Sequence, residues 1–142
     1  MQYERVLVDA LAARMVLRPD SLDVVVASNL FGDILTDLGA ALQGGMGMAA
    51  SANLCPGGDV PGLFEPVHGS APDIAGQGVA NPCGAVWSAV LMLDHLGEAV
   101  ASARLLAGLE AICREGPRTR DLGGSAGTAE VGEAIRARVW AG

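Results

Sequence analysis

The sequence has few positively charged residues, few aromatics and few cysteines. Nine Lys and Arg stand against 16 Asp and Glu, so the formal net charge is −7. Nucleic-acid binding depends on clustered Lys and Arg that contact phosphates, and this balance argues against such a partner. The three cysteines, Cys55, Cys83 and Cys113, form no CxxC pair. They therefore predict neither a zinc site nor a disulfide framework.

Long apolar runs and several familiar catalytic signatures are also absent. The most apolar stretch, Cys83 to Leu93, is shorter than the about 20 residues that span a membrane. The segment MQYERVLVDALAARM lacks the charged and apolar regions of a signal peptide. We therefore expect a cytoplasmic protein without membrane contact. Neither His68 nor His95 belongs to a nucleophile-elbow motif, and no GxGxxG follows a strand, so hydrolase and Rossmann signatures are missing.

The apolar spacing of the first third predicts two helices around a strand. Residues 4–17 have helical spacing and end before Pro19 and Asp20. Val24 to Ala27 form a short apolar run typical of a buried parallel strand. Ser28 or Asn29 then caps a second helix. One apolar face of that helix comprises Leu30, Ile34, Leu38 and Leu42. This order of elements predicts an α/β fold.

The remainder begins with a stretch rich in small residues, from Gly44 to Gly62. It predicts either a boundary between two lobes or tight turns that bring backbone close to a ligand. Asn81 and Pro82 then predict a helix start, with Asn as the cap and Pro at the first position. Two further helices are expected at about 99–115 and 128–140, joined by a glycine-rich loop.

Two carboxylates on the second helix are candidates for binding a metal ion. Asp33 and Asp37 are four residues apart, so their Cβ atoms lie on one face, roughly 6 Å from each other. A hard divalent cation such as Mg²⁺ or Mn²⁺ would offset their repulsion. The spacing alone favours a simpler alternative, in which acids early in a helix interact favourably with its dipole.

The segment from His68 to Asp73 predicts a turn that leads into a short helix. Ser70 and Asp73 have capping-box spacing, although Asp replaces the usual Glu or Gln. A nucleotide site is the functional alternative, because backbone N–H groups at a helix start attract phosphate and a carboxylate can accept hydrogen bonds from ribose. These residues by themselves favour the cap.

Taken together, these segments resemble the β-decarboxylating dehydrogenases, which include the isopropylmalate, isocitrate, tartrate and D-malate enzymes. SNLFGDILTD, residues 28–37, looks like the family's metal-binding helix. The family's cofactor loop is resembled by residues 65–76, EPVHGSAPDIAG, together with the ANP motif at 80–82. A third match is DLGG at 121–124, which resembles a segment near the adenine of the cofactor. The resemblance covers essentially the whole chain. It implies an isopropylmalate dehydrogenase-like two-lobe fold, present here incompletely.

The resemblance also assigns roles to residues. It implies that Asp33 and Asp37 ligate Mg²⁺ or Mn²⁺, and that Asp9 reaches the metal site of a partner subunit, which implies a homodimer. Asp73 and Ile74 match the pattern of family members that prefer NAD, since a carboxylate repels the 2′-phosphate of NADP. The other residues implied to line the NAD site are His68, Gly69, Ser70, Ala71 and Asn81.

The implied activity is NAD-dependent oxidation and decarboxylation of a small 2-hydroxy diacid. Residues 25–30 and 49–54 look closest to the tartrate and D-malate branch, with 3-isopropylmalate as the alternative substrate. In this reaction the metal polarises the carbonyl formed by hydride transfer, which stabilises the enolate left by carbon dioxide.

Family members are substantially longer, and their catalytic tyrosine, catalytic lysine and substrate-binding arginines are expected outside this chain. No catalytic residue is therefore expected here. Residues 1–45 would belong to the dimer-forming, metal-binding lobe and residues 46–142 to the cofactor-binding lobe. A different class of function stays open, that of a non-catalytic nucleotide-binding or dimerisation module.

Overall fold

The computed structural model describes residues 3–141. Within this range the chain forms helices and one small sheet, and no helix is long and apolar enough to cross a membrane. The elements are α1 (Val8–Leu17), α2 (Asn29–Leu42), β1 (Ala50–Asn53), β2 (Leu63–Pro66), α3 (Cys83–His95), α4 (Ala99–Glu115) and α5 (Thr128–Ala141). This mixed architecture confirms the predicted α/β class.

The chain divides into two compact units, and the second begins at Gly44. In the first unit, α1 starts four residues later than the sequence predicts and packs against α2. The Arg14 side chain contacts the segments on both sides of α1, donating to Glu4 Oε2 at 2.8 Å and to Ser21 Oγ at 2.7 Å. The assignment of the units to a metal-binding and a cofactor-binding lobe stays a prediction.

The buried face of α2 differs from the one that the apolar spacing predicts. Leu35 and Ala40 are buried, and a Cβ on Gly39 would lie 3.6 Å from Met15 Cε of α1. Three of the four residues of the predicted face are exposed, with exposed fractions of 66%, 54% and 51% for Leu30, Ile34 and Leu42, whereas Leu38 is half-buried. Apolar residues occur on more than one side of α2, so spacing alone does not identify the side that packs.

The predicted strand at Val24 to Ala27 is wrong for this chain. Val24 and Val26 are 81% and 94% exposed, and the segment is not assigned as a strand. A strand requires a neighbour for its backbone hydrogen bonds. Among residues 3–141 only β1 and β2 pair with each other, so the valines have no neighbouring strand.

In the second unit, β1 and β2 pair antiparallel, with Ala50 opposite Pro66 and Asn53 opposite Leu63. Helix α3 packs on both strands, and α4 packs between α3 and α5. Gly84 permits the first of these contacts, because a Cβ there would lie 2.8 Å from the Ala49 carbonyl oxygen. The predicted helices at 99–115 and 128–140 agree with α4 and α5.

The hydrophobic core of this unit lies between α3, α4, α5 and the loop before α5. Its buried residues are Cys83, Leu109, Ile112, Ala126, Val131 and Ile135. Burial, reinforced by a contact with Cys113, raises the pKa of the Cys83 thiol from 9.0 to about 12. All three cysteines are free.

We expect Cys83 to react with N-ethylmaleimide at pH 8 at least about a hundredfold more slowly in the folded protein than in urea. The thiolate is the reactive form, and the raised pKa lowers the fraction of Cys83 that is thiolate in the folded protein. Peptide mass spectrometry measures the labelling of each cysteine separately. The raised pKa also contributes stability that is fully present below pH 9.0 and is lost as the pH rises towards about 12. Equal labelling rates in the folded and unfolded protein would contradict the assigned burial.

Candidate functional site

A cavity of about 430 Å³ lies in the second unit. This volume falls within the roughly 300–1,000 Å³ of typical small-molecule sites. Three chain segments enclose it, namely the glycine-rich turn before β1, the loop between β2 and α3, and the loop before α5. Its lining residues are Met46, Gly47, His68, Gly69, Ser70, Ala71, Ile74, Ala75, Gln77, Val79, Ala80, Asn81, Arg120 and Asp121.

Most residues that the resemblance assigns to the cofactor meet at this cavity. The structure brings together six of them, His68, Gly69, Ser70, Ala71, Ile74 and Asn81. The seventh, Asp73, is exposed and does not line the cavity. Asp121, from the DLGG segment, lies on the opposite wall. The occupant of the cavity stays a prediction.

The loop between β2 and α3 consists of consecutive turns, so the short helix predicted after His68 is wrong. Ile74 N donates to Ala71 O at 3.0 Å, and Gln77 N donates to Ile74 O at 3.1 Å. Gln77 Nε2 also donates to Asp73 O at 2.7 Å. Ala71 has φ 42°, the one positive φ outside glycine in residues 3–141. Such backbone costs of order 1 kcal/mol and persists where its surroundings fix it.

Asn81 is buried and connects two walls of the cavity. Its Oδ1 accepts a hydrogen bond from Cys83 N at 2.9 Å, so Asn81 caps the start of α3 as predicted, although the helix begins at Cys83, one residue after the predicted start at Pro82. Its Nδ2 donates to Asp121 Oδ2 at 2.9 Å, across 40 residues of sequence. Thr119 Oγ1 donates to the other carboxylate oxygen of Asp121. The amide and the carboxylate are therefore both held in fixed orientations at the cavity wall.

Gly47 lines the cavity next to Asn81 and Asp121. A Cβ at Gly47 would lie 2.7 Å from both Asn81 Cβ and Asp121 Oδ2, so a side chain there would displace them. The sequence predicts tight turns in this stretch but does not single out Gly47, Thr119 or Arg120. The high glycine content of this stretch is the sequence signal that could have identified Gly47 as a site residue. No local pattern identifies Thr119 or Arg120.

Arg120 is the one Lys or Arg among the residues that line the cavity. It begins a single 3₁₀ turn, Arg120–Leu122, and its side chain is exposed. In the part of the chain that the structure describes, its guanidinium makes neither a side-chain hydrogen bond nor an ion pair. It is therefore available to an anionic ligand.

The three acids predicted to bind metal all lie in the first unit. Asp33 and Asp37 are exposed on α2, and Asp9 is exposed in the first turn of α1. Thr36 Oγ1 donates to the backbone oxygen of Asp33 and leaves its carboxylate available. No group of three potential ligands that could hold a metal ion occurs within residues 3–141. The pair Asp33 and Asp37 supplies hard oxygen donors suited to Mg²⁺ or Mn²⁺, and further ligands would have to come from elsewhere.

Comparison with known proteins places this arrangement in context. The isocitrate/isopropylmalate dehydrogenase family matches residues 1–135. A probable tartrate dehydrogenase/decarboxylase of Bacillus subtilis is 57% identical over 132 residues, which are 93% of this chain and 37% of the relative. An isocitrate/homoisocitrate dehydrogenase of Thermus thermophilus is 52% identical over 135 residues, 95% of this chain and 40% of the relative.

Solved structures give the same picture. Isocitrate dehydrogenase from Methylococcus capsulatus superposes with a TM-score of 0.85 at 46% identity, covering 93% of this chain and 39% of that one. A β-decarboxylating dehydrogenase from Thermococcus kodakarensis superposes with a TM-score of 0.81 at 40% identity, covering 96% and 40%. The chain thus spans about two fifths of the length of these relatives.

Proposed function

This chain belongs to the isocitrate/isopropylmalate dehydrogenase family, and on that basis we propose that it is the carboxyl-terminal portion of a decarboxylating dehydrogenase. The proposed reaction is oxidation and decarboxylation of a small 2-hydroxy diacid, with NAD as the oxidant and Mg²⁺ or Mn²⁺ as the metal. The observation that carries the proposal is the convergence of six residues, assigned to the cofactor by sequence, on one cavity.

On the nucleotide side, the role of the chain is to bind and orient the cofactor. The cavity has the volume of a small-molecule site, and its wall at Gly47 has no room for a side chain. The fixed Asn81 amide and Asp121 carboxylate present hydrogen-bonding groups to a polar ligand such as adenosine. NAD, when bound, accepts the hydride that the substrate loses. These features fit the proposed cofactor.

On the metal side, Asp33 and Asp37 would hold the cation through carboxylate oxygens, and Asp9 is proposed to reach the metal site of a second subunit. The cation supplies Lewis-acid chemistry at the substrate's oxygen. The exposed apolar residues of α2, Leu30 and Ile34 among them, support the proposed homodimer, because large exposed apolar patches commonly mark interfaces.

Tartrate or D-malate is the proposed substrate. Relatives named as probable tartrate dehydrogenase/decarboxylase, in Bacillus subtilis and Agrobacterium vitis, are 57% and 49% identical to this chain. 3-Isopropylmalate is the second candidate, since the family includes such enzymes. A non-catalytic nucleotide-binding or dimerisation module is the alternative of another class. It is favoured for this chain in isolation because the family's catalytic tyrosine and lysine are expected outside the two fifths of its relatives that the chain spans.

A hybrid enzyme tests the proposal directly. The matching segment of the Bacillus subtilis relative is replaced by this chain, and NADH formation is measured with Mn²⁺ and tartrate, D-malate or 3-isopropylmalate. We expect turnover with tartrate or D-malate, within about tenfold of the unaltered relative, because 57% identity over the segment preserves its packing. A folded hybrid that binds NAD but oxidises none of the three substrates would favour the non-catalytic alternative.

A further inference from the structure

Two of the three cysteines lie together in the core of the second unit. Cys83 is the first residue of α3 and is 2% exposed, whereas Cys113 lies near the end of α4 and is half-buried. The two helices pack against each other, and the two thiols are in contact. Cys55 lies in the loop between β1 and β2 and is not among the residues of this core. The fold therefore selects one pair of thiols out of the three possible pairs.

Cys83 also connects this core to the cavity. Its backbone N donates to Asn81 Oδ1 at 2.9 Å, and Asn81 Nδ2 donates to Asp121 Oδ2 on the other wall at 2.9 Å. Burial, the contact with Cys113 and, to a smaller extent, the charge of Asp121 all raise the pKa of the Cys83 thiol. Protein interiors are close-packed, so a displacement of Cys83 is transmitted to its neighbours. A covalent change at Cys83 therefore reaches both walls of the cavity.

We propose that Cys83 and Cys113 form a modification site, at which a peroxide converts the two thiols into a disulfide and thereby lowers the affinity of the cavity for its nucleotide. The effect on affinity rests on the proposed nucleotide function, whereas the formation of the disulfide does not. Because Cys113 is half-buried and Cys83 is buried, Cys113 is the thiol that the peroxide reaches first.

Hydrogen peroxide is sufficient as the oxidant. The Cys113 thiolate attacks one peroxide oxygen, the O–O bond breaks, and Cys113 becomes a sulfenic acid. The released hydroxide takes up the proton that the Cys113 thiol lost and becomes water. Cys83 Sγ then attacks Cys113 Sγ, the S–O bond breaks, and hydroxide leaves as water with the Cys83 proton. In total, the two thiols lose two electrons and the peroxide is reduced to two molecules of water.

The disulfide is expected to disturb the cavity through Asn81. Bond formation brings the two sulfur atoms closer than their non-bonded contact, so Cys83 moves towards α4. Asn81 then has to follow Cys83 or give up the hydrogen bond to its backbone N, and in both cases the amide leaves its present orientation. We expect ADP-ribose to bind about tenfold more weakly to the oxidised chain, the scale of one hydrogen bond.

The first test identifies the disulfide. The purified chain is treated with hydrogen peroxide, quenched with N-ethylmaleimide, digested after Arg and Glu, and examined by mass spectrometry without reduction. We expect linked peptides of Cys83 and Cys113 in the folded chain. In urea, Cys55 should compete equally for Cys83, because the two sequence separations are nearly equal. Cys55→Ser is the matched control and should form the same disulfide as the unaltered chain, whereas Cys113→Ser should form none.

The second test measures the effect on the cavity by titrating ADP-ribose calorimetrically into the reduced and the oxidised chain. Dithiothreitol should restore the affinity, and peroxide should leave the affinity of Cys113→Ser unchanged. Linkage to Cys55 in the folded chain, or overoxidation of Cys113 without linkage, would overturn the modification site. A disulfide with unchanged affinity would overturn its coupling to the cavity. A reduced chain that forms the disulfide but does not bind ADP-ribose would overturn the nucleotide function and support the modification site.

Discussion

Replacing both Asp33 and Asp37 by Asn is expected to lower the Mn²⁺-dependent turnover of the hybrid enzyme at least about a thousandfold. Lewis-acid stabilisation of the transition state by a metal ion provides several kcal/mol, and each 1.36 kcal/mol corresponds to a factor of ten in rate. Asn keeps the size of each side chain but removes the negative charge that attracts a hard cation. Both residues are exposed on α2, so the fold should tolerate the change. The measurement is NADH formation against Mn²⁺ concentration.

The control for this double variant is Asp20→Asn with Asp23→Asn. These acids are exposed in the same unit and change the net charge by the same amount, yet they lie outside the carboxylate pair. Nucleotide binding, measured with ADP-ribose, should be unaffected in both double variants, since the cavity lies in the second unit. Undiminished turnover in Asp33→Asn with Asp37→Asn would remove the metal assignment.

The second large effect concerns Gly124, in the loop that carries Asp121. A Cβ at Gly124 would lie 1.9 Å from the Arg118 carbonyl oxygen, which accepts a hydrogen bond from Ala126 N at 2.9 Å. Backbone on both sides of the contact must move to admit a methyl group. Gly124→Ala is therefore expected to lower the free energy of unfolding by about 3 kcal/mol and to weaken ADP-ribose binding as Asp121 is displaced. Urea denaturation measures the first effect and calorimetry the second.

Gly132→Ala is the matched control for this substitution. Gly132 lies within α5, and a Cβ there would meet no atom within 4 Å. Alanine should raise the free energy of unfolding by about 0.5–1 kcal/mol, because glycine is the poorer helix former. If Gly124→Ala is as stable as Gly132→Ala, the loop adopts a backbone that differs from the one described.

The elements that could be predicted from the sequence are those with local signals. Asn81 and Pro82 mark the start of α3 because capping and the fixed proline φ act over two or three residues. The helices α4 and α5 follow from their own periodicity and the glycines between them. The strand predicted at Val24 to Ala27 is wrong because strand pairing depends on a neighbouring strand that residues 3–141 do not supply.

In the candidate site, too, residues within a local motif could be predicted, whereas contacts between distant segments could not. His68 to Ala71 and Asn81 could be identified because they belong to two short motifs, at 65–76 and 80–82, whose family resemblance is specific. The hydrogen bond from Asn81 to Asp121 could not be identified, since it spans 40 residues and depends on how two loops pack. The position of Asp73 outside the cavity could not be predicted either. It depends on the turns that follow Ala71, and no local sequence pattern indicates the positive φ of Ala71.

The position of Arg120 between Thr119 and Asp121 has a consequence for how this protein can evolve. Thr119 is buried and hydrogen-bonded to Asp121, so both neighbours are constrained by the fold. Arg120 lines the cavity and is exposed, and its side chain makes no hydrogen bond or ion pair within the described residues, so most substitutions there should leave stability nearly unchanged. Position 120 can therefore vary in sequence while the loop that carries Asp121 keeps its structure.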